Sequence, residues 1–415
     1  MVPFTIPGEL VRARITSQRK NYFEAELLEV LEPSPERVQP KCQYFGQCGG
    51  CDYQHMTIQS QRQWKQQQVE QTLRRIGGTN FQGITVSGCI GNEEGYGYRS
   101  KLTPHYEKGT GKPAHEVKVG FLHHDSNGII LDVDRCVIAT DAINEQMPVM
   151  RQEAKLNSVM EEEEEESAAG GRGEGRKRKG KRSSCSSSSN RTASSSRRRG
   201  SQGNLLLREV AEGVVSEAKT VQQEVAGITY QYDAAGFFQT NPSMLPCLVD
   251  FAIQQASGGG RARFLVDAYA GCGLFSLAAA AAGAFDSCVG IEINALAVRH
   301  ATASASLNGL KGKCTFQAGS AANVFGNVTL TPGQTACIID PPRAGCDKQF
   351  LKQLLHFGPQ RVVYVSCDPS TQARDAAQLV KGGYKVLDVT PFDLFPQTRH
   401  IEAVMTLERA SQSKF

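Results

Sequence analysis

The sequence predicts an α/β protein. Its C-terminal part reads as a Rossmann-like, doubly wound parallel sheet, preceded by a small mixed α+β region and a pair of N-terminal strands. Three observations carry this. After residue 260, short β-prone runs ("RFLVDAY", "CVGIEIN", "ACIIDPP", "RVVYVSC") alternate with helical stretches, the signature of strand–helix–strand units. Polar residues sit at or near the ends of these runs (Asp267, Glu292, Asp340 and Cys367), where such sheets bind ligands. A glycine turn, "DAYAGCG", joins the first of these runs to an alanine-rich helix.

The rest of the chain is read in order. "GELVRARITSQRKNYFEAELLEVLEP" predicts two strands, residues 8–16 and 22–31, around a polar turn. A helix is expected over 58–76, with Trp64, Val69, Leu73 and Ile76 at helical spacing and two glycines to stop it. Residues 95–137 predict several short strands. Residues 155–204, acidic, then basic, then serine-rich, have too few apolar residues to offset chain entropy and predict disorder. That segment reads as an inserted surface loop, with extra RNA affinity or a targeting signal as the sharper alternative.

Composition narrows the function. The chain has 415 residues and 13 cysteines. No secretory leader and no apolar run of membrane length is visible. The expectation is a soluble intracellular protein of the cytoplasm or an organelle, plastid or mitochondrion, with no disulfide framework. The net charge is +4, and residues 161–199, with eleven Lys/Arg and seven Glu, supply all of it. Any nucleic-acid binding must therefore come from local patches.

The glycine turn allows a methyl donor, another nucleotide or a plain structural turn. Ser276 stands where the dinucleotide fingerprint needs a small third residue. Glu292, at the next strand end, is placed to accept hydrogen bonds from two ribose hydroxyls. Together with the later motifs this favours S-adenosylmethionine. "IIDPPRAG" gives a rigid exit that aims Asp340 at the site. "VYVSCDP" presents Cys367 just before a proline that suits the first turn of a helix, whose N-terminus would favour thiolate. A thiolate adding to C6 of uracil makes C5 nucleophilic, and a base must then remove the C5 proton. Glu402 in "HIEAVMTLER" is the candidate base. The isolated cysteines 89, 185, 247, 272, 288, 314, 337 and 346 read as structural. Cys42-x5-Cys48-x2-Cys51, with Cys136 as the natural fourth ligand, is a metal signal: an iron–sulfur cluster, with a zinc site or unliganded thiols as alternatives. "GYGYRSKLTPHY" sets Arg99 and Lys101 between tyrosines, either an RNA-binding strip or an ordinary strand pair.

The motifs "FFQTN", "DAYAGCG", "DPPRAG", "VYVSCDP" and "FPQTRHIEAV" resemble, in order, those of the RNA uracil-C5 methyltransferase family, which makes 5-methyluridine in tRNA or ribosomal RNA. The resemblance implies a class I S-adenosylmethionine-dependent methyltransferase domain over 236–415. It implies that Gln239, Tyr269, Gly271, Gly273, Glu292 and Asp340 bind the donor, that Cys367 is the nucleophile and that Glu402 is the base. The cysteines resemble the 4Fe–4S site of the iron–sulfur branch, within a central region spanning 42–154 and closed by 205–235. Residues 1–41 resemble part of a TRAM domain, a small RNA-binding β-barrel, here shortened. An RNA partner and a monomer are implied. Two positions depart from the family pattern: Leu274, where members often carry a polar residue, and Ser320, where an Asp or Asn is usual. An RNA cytosine-C5 methyltransferase fits less well, because Cys346 follows the Asp-Pro-Pro turn too late. A non-catalytic RNA-binding protein is the remaining alternative.

Overall fold

The computed structural model describes residues 1–108, 113–125, 128–170, 202–319, 324–326 and 328–410. Strands β1 (Leu10–Gln18) and β2 (Phe23–Glu32) form a two-stranded antiparallel ribbon. Ion pairs Arg12–Glu29 and Arg14–Glu26 cross it. Leu10, Ile15, Phe23 and Leu28 are exposed, and no barrel closes over them among the described residues.

Helix α1 (Ile58–Gly77) starts on Thr57, whose hydroxyl accepts from the Ser60 amide at 3.3 Å. The helix lies where the periodicity put it, but its buried stripe is Gln61, Lys65, Val69, Leu73 and Gly77. Ile76 is exposed and Trp64 only half-buried. The polar members are inside because the surface they meet offers Asp393 and Gln397, which need partners.

The central region holds β3 (Lys101–Leu102), β4 (His105–Glu107), β5 (Val119–Leu122), β6 (Ile130–Asp132), α2 (Asp141–Gly170), β7 (Gln202–Asn204), β8 (Leu207–Val210), β9 (Gly213–Val215), β10 (Thr220–Val225) and β11 (Ile228–Asp233). They form a four-stranded sheet, β6-β5-β4-β7, a three-stranded sheet, β3-β8-β9, and a hairpin, β10-β11. Both ends of the segment expected to be disordered are ordered. Residues 155–170 continue α2, since glutamate is a strong helix former, and residues 202–204 pair with β4. The basic and serine-rich blocks between them lie outside the described residues, as do Cys185 and Ser320.

The C-terminal part comprises α3 (Leu245–Ser257), β12 (Phe264–Ala268), α4 (Leu274–Ala281), β13 (Ser287–Glu292), α5 (Ala295–Leu307), β14 (Cys314–Ala318), β15 (Thr335–Ile339), α6 (Lys348–Phe357), β16 (Arg361–Ser366), α7 (Pro369–Lys381), β17 (Tyr384–Phe392) and β18 (Glu402–Arg409). One seven-stranded sheet runs β14-β13-β12-β15-β16-β18-β17, with β18 antiparallel to both neighbours and the first five strands parallel. Every residue of β15 and β16 is buried, as parallel strands covered on both faces require. Alternate residues feed two cores: Leu265 and Val363 on one face, Val266 and Tyr364 on the other. The chain passes from β12 out to β14 and returns to β15 on the other side of β12. This opens a crevice at the strand C-termini. Cys272, Cys288, Cys314, Cys337 and Cys346 are buried, whereas Cys247 is exposed.

Candidate active site

Strand register assembles the site. Ala268 pairs with both Ile291 and Ile339, so the next residues outward, Tyr269, Glu292 and Asp340, share one rim. Ser366 pairs with Ala403. One further step along this antiparallel ladder brings Cys367 opposite Glu402. Gln372 of α7 bridges the two strands, its amide donating to Tyr364 O at 2.9 Å and Ala403 O at 3.0 Å.

Asp267 belongs to this region but not to the rim. It lies one residue inside β12, wholly buried, and its Oδ2 accepts from Ser276 N at 3.0 Å and Ser276 Oγ at 2.6 Å. Ser276, the residue that breaks the dinucleotide pattern, is thus the one that fastens α4 to β12. Burial pushes the Asp267 carboxyl up to about 7. Between them the chain turns through three left-handed residues, Tyr269 (φ 66°), Gly271 (φ 56°) and Gly273 (φ 89°). A Cβ on Gly273 would stand 2.7 Å from the Phe316 ring. Tyr269 holds its unusual backbone with its ring against Phe350, centroids 5.0 Å apart.

Glu292 braces the same turn: its carboxylate accepts from Gly271 N at 2.9 Å and Asn294 N at 2.8 Å. Gln239 is 7% exposed, and among the described residues its amide makes no hydrogen bond. The Asp340 carboxylate likewise has no hydrogen-bond partner among them. These groups suit a ligand with hydroxyl, amine and carboxylate functions. Leu274 opens α4 as a core residue, its carbonyl taking the Tyr230 hydroxyl at 3.0 Å.

The helix expected to acidify Cys367 does not do so. The amides that open α7, Ser370 N at 2.8 Å and Thr371 N at 3.3 Å, are taken by the Asp368 carboxylate. The capping residue neutralises its own helix end. Burial, then the charges of Glu402 and Asp340, push the Cys367 thiol up to about 11; Arg343 opposes them. Glu402 is 3% exposed. Burial, then Asp340, raises its carboxyl well above the usual range, again against Arg343. Arg343, exposed in "DPPRAG", is a residue to which the sequence reading gave no role at this site. A cation in the loop that carries Asp340 was the available signal. Cys346 is buried, its sulfur 4.0 Å from the Tyr364 hydroxyl, and is no candidate nucleophile.

The metal candidates also converge. Cys42, Cys48, Cys51 and Cys136 line one cavity of about 180 Å³, together with Arg99 and Arg135. Burial pushes Cys48 up to about 11 and Cys51 to about 12, and neighbouring thiols add to both. Arg99 therefore faces this cavity, with its Nε donating to Lys101 O at 3.1 Å. The Lys101 ammonium donates to Ala235 O at 2.9 Å and Gly236 O at 3.0 Å. Burial lowers it to about 8.

Residues 327–410 match the family described as tRNA (Uracil-5-)-methyltransferase. A tRNA (uracil(54)-C(5))-methyltransferase of Schizosaccharomyces pombe is 32% identical over 99% of this chain and 73% of its own length. The chain belongs to this family. An uncharacterized RNA methyltransferase of Halalkalibacterium halodurans is 34% identical over 98% of this chain and 91% of its own length. The crystal structure of Pyrococcus abyssi tRNA (uracil-54, C5)-methyltransferase, in complex with S-adenosyl-L-homocysteine, shares the fold. It superposes with a TM-score of 0.66 at 21% identity, covering 98% of this chain and 95% of that one. The protein is an RNA uracil-C5 methyltransferase. No helix of the methyltransferase is long and apolar enough to cross a membrane, among the described residues.

Proposed function

We propose that this methyltransferase acts on uridine 54 of tRNA through a covalent bond between Cys367 Sγ and C6 of the base. The observation that carries this is the placement of Cys367 beside Glu402 at the end of the β16–β18 ladder, next to Asp340. The relatives of Schizosaccharomyces pombe and Saccharomyces cerevisiae, the latter 28% identical, carry position 54 in their names. S-adenosylmethionine supplies an electrophilic methyl group. Gln239, Tyr269, Gly271, Gly273, Glu292 and Asp340 hold it, with the glycines letting the backbone approach. The Cys367 thiolate would add to C6, and the electron pair gained at C5 would form the new bond to the methyl carbon as that carbon's bond to the donor sulfur breaks and S-adenosylhomocysteine leaves. Glu402, as carboxylate, takes the C5 proton; the C6–S bond then breaks and returns the thiolate.

The four cysteines suit a 4Fe–4S cluster better than zinc. All four line one cavity of about 180 Å³, more room than a single ion needs. Such a cluster would cross-link the loop 42–51 to residue 136, a structural role. Arg99 and Lys101 would face the RNA near this region. The protein would act as a monomer in the cytoplasm or an organelle.

The test is methyl transfer to unmodified tRNA and ribosomal RNA transcripts, followed by mapping of 5-methyluridine. The expected product is tRNA methylated at position 54, absent with Cys367→Ala. Methylation by that variant, or of ribosomal RNA alone, would overturn the reading.

A further inference from the structure

Residues 393–401 connect β17 to β18 and end at Glu402. Segments far away in sequence hold this loop. Asn241 Nδ2 donates to Leu394 O at 2.9 Å, Lys65 Nζ to Phe395 O at 3.0 Å and the Tyr98 hydroxyl to Pro396 O at 3.0 Å. The next residue, Gln397, sits at φ 68°, in the left-handed region that side-chain-bearing residues rarely adopt. Such a conformation persists only where its surroundings over-determine it.

They do so here. The Gln397 N–H donates to Gln61 Oε1 at 2.9 Å, and its side-chain Oε1 accepts from Gln61 Nε2 at 3.0 Å. Its carbonyl accepts from two successive amides, Asp52 N and Tyr53 N, each at 2.9 Å. Gln61 is fully buried, and its Nε2 also donates to Tyr53 O and Met56 O. Two residues on, Arg399 N donates to Asp52 Oδ2 at 3.2 Å. Asp52 and Tyr53 directly follow Cys51.

We propose that Gln61 and Asp52 are positioning residues for Glu402: they clamp Gln397 in its left-handed conformation and so tie the start of β18 to the loop that carries Cys42, Cys48 and Cys51. The proposal rests on the reading of Glu402 as the base. Two hydrogen bonds of the Gln61 amide go to Gln397 itself and a third to Tyr53. Loosening it lets the carboxylate drift from the C5 proton while the rim that holds the donor stays intact. Base removal then becomes the slow step, after C6–S and C5–methyl bonds have formed.

The test compares Gln61→Ala, Asp52→Ala and Glu402→Gln in the full-length protein, with unmodified tRNA transcript. For Gln61→Ala the expected result is a kcat roughly ten- to a hundredfold lower, with the KM for S-adenosylmethionine unchanged. A protein–RNA adduct that survives denaturation and carries the new methyl group should accumulate. Asp52→Ala, with a half-buried side chain and no core cavity, should accumulate the same adduct to a smaller extent. If Glu402→Gln forms no adduct, the base reading fails. If it does and neither Gln61→Ala nor Asp52→Ala does, the clamp fails. Loss of donor binding in Gln61→Ala alongside an unaltered Asp52→Ala would also overturn the clamp.

Discussion

Cys367 in the free protein is a thiol, because burial and two carboxylates raise it to about 11 and Asp368 consumes the helix end that could have lowered it. Glu402 is raised in the same sense. The two shifts act together on pH dependence. In the proposed mechanism the nucleophile must be thiolate and the base carboxylate, and both forms gain population as pH rises through their raised values. The kcat/KM should therefore keep climbing with pH toward about 11, the value of the Cys367 thiol, with no acidic optimum; a rate profile with defined tRNA checks this. Arg343 opposes both shifts. Arg343→Met should move the rising limb to higher pH and leave the melting temperature unchanged, which pH–rate profiles and thermal unfolding would show.

Among the elements, the strand ends and the glycine turn were legible in the sequence, because parallel buried strands read as apolar runs and left-handed turns need glycine. The role of Asp267 was not. A carboxylate at a strand end reads the same whether it faces a ligand or braces a helix, and only the Ser276 contact decides. The face of α1 was misjudged for a related reason: periodicity counts apolar residues, and this helix buries Gln61 and Lys65. Lys65 Nζ lies 2.6 Å from Asp393 Oδ1 with both side chains fully buried. Lys65→Met leaves that buried carboxylate with Arg62 alone, 3.9 Å away, and should cost roughly 3–5 kcal/mol, whereas adding Asp393→Leu should recover part of it. Denaturant titrations of both variants would show the difference. Gly273→Ala forces a Cβ onto the Phe316 ring at φ 89° and should cost on the order of 1–3 kcal/mol, with weaker donor binding by calorimetry.

At the level of the whole molecule, the cysteine loop, α1 and the β17–β18 connection are one packed unit, although they lie more than 300 residues apart in sequence. That juxtaposition could not be read from the chain, since Gln61 and Gln397 carry no motif that pairs them. The convergence of Cys136 on the loop was legible, because three closely spaced cysteines invite a fourth to complete a shared ligand. Cys51→Ser should abolish bound iron and its visible absorbance and lower the melting temperature, since cluster binding energy is folding energy; iron assay and thermal unfolding would check it.

The most direct measurement uses tRNA carrying 5-fluorouridine at position 54, which has no C5 proton for Glu402 to take. The protein incubated with this RNA and S-adenosylmethionine should stop as a methylated covalent adduct, and peptide mass spectrometry should place the nucleotide on Cys367. An adduct on another cysteine, or methyl transfer with no adduct at all, would contradict the account.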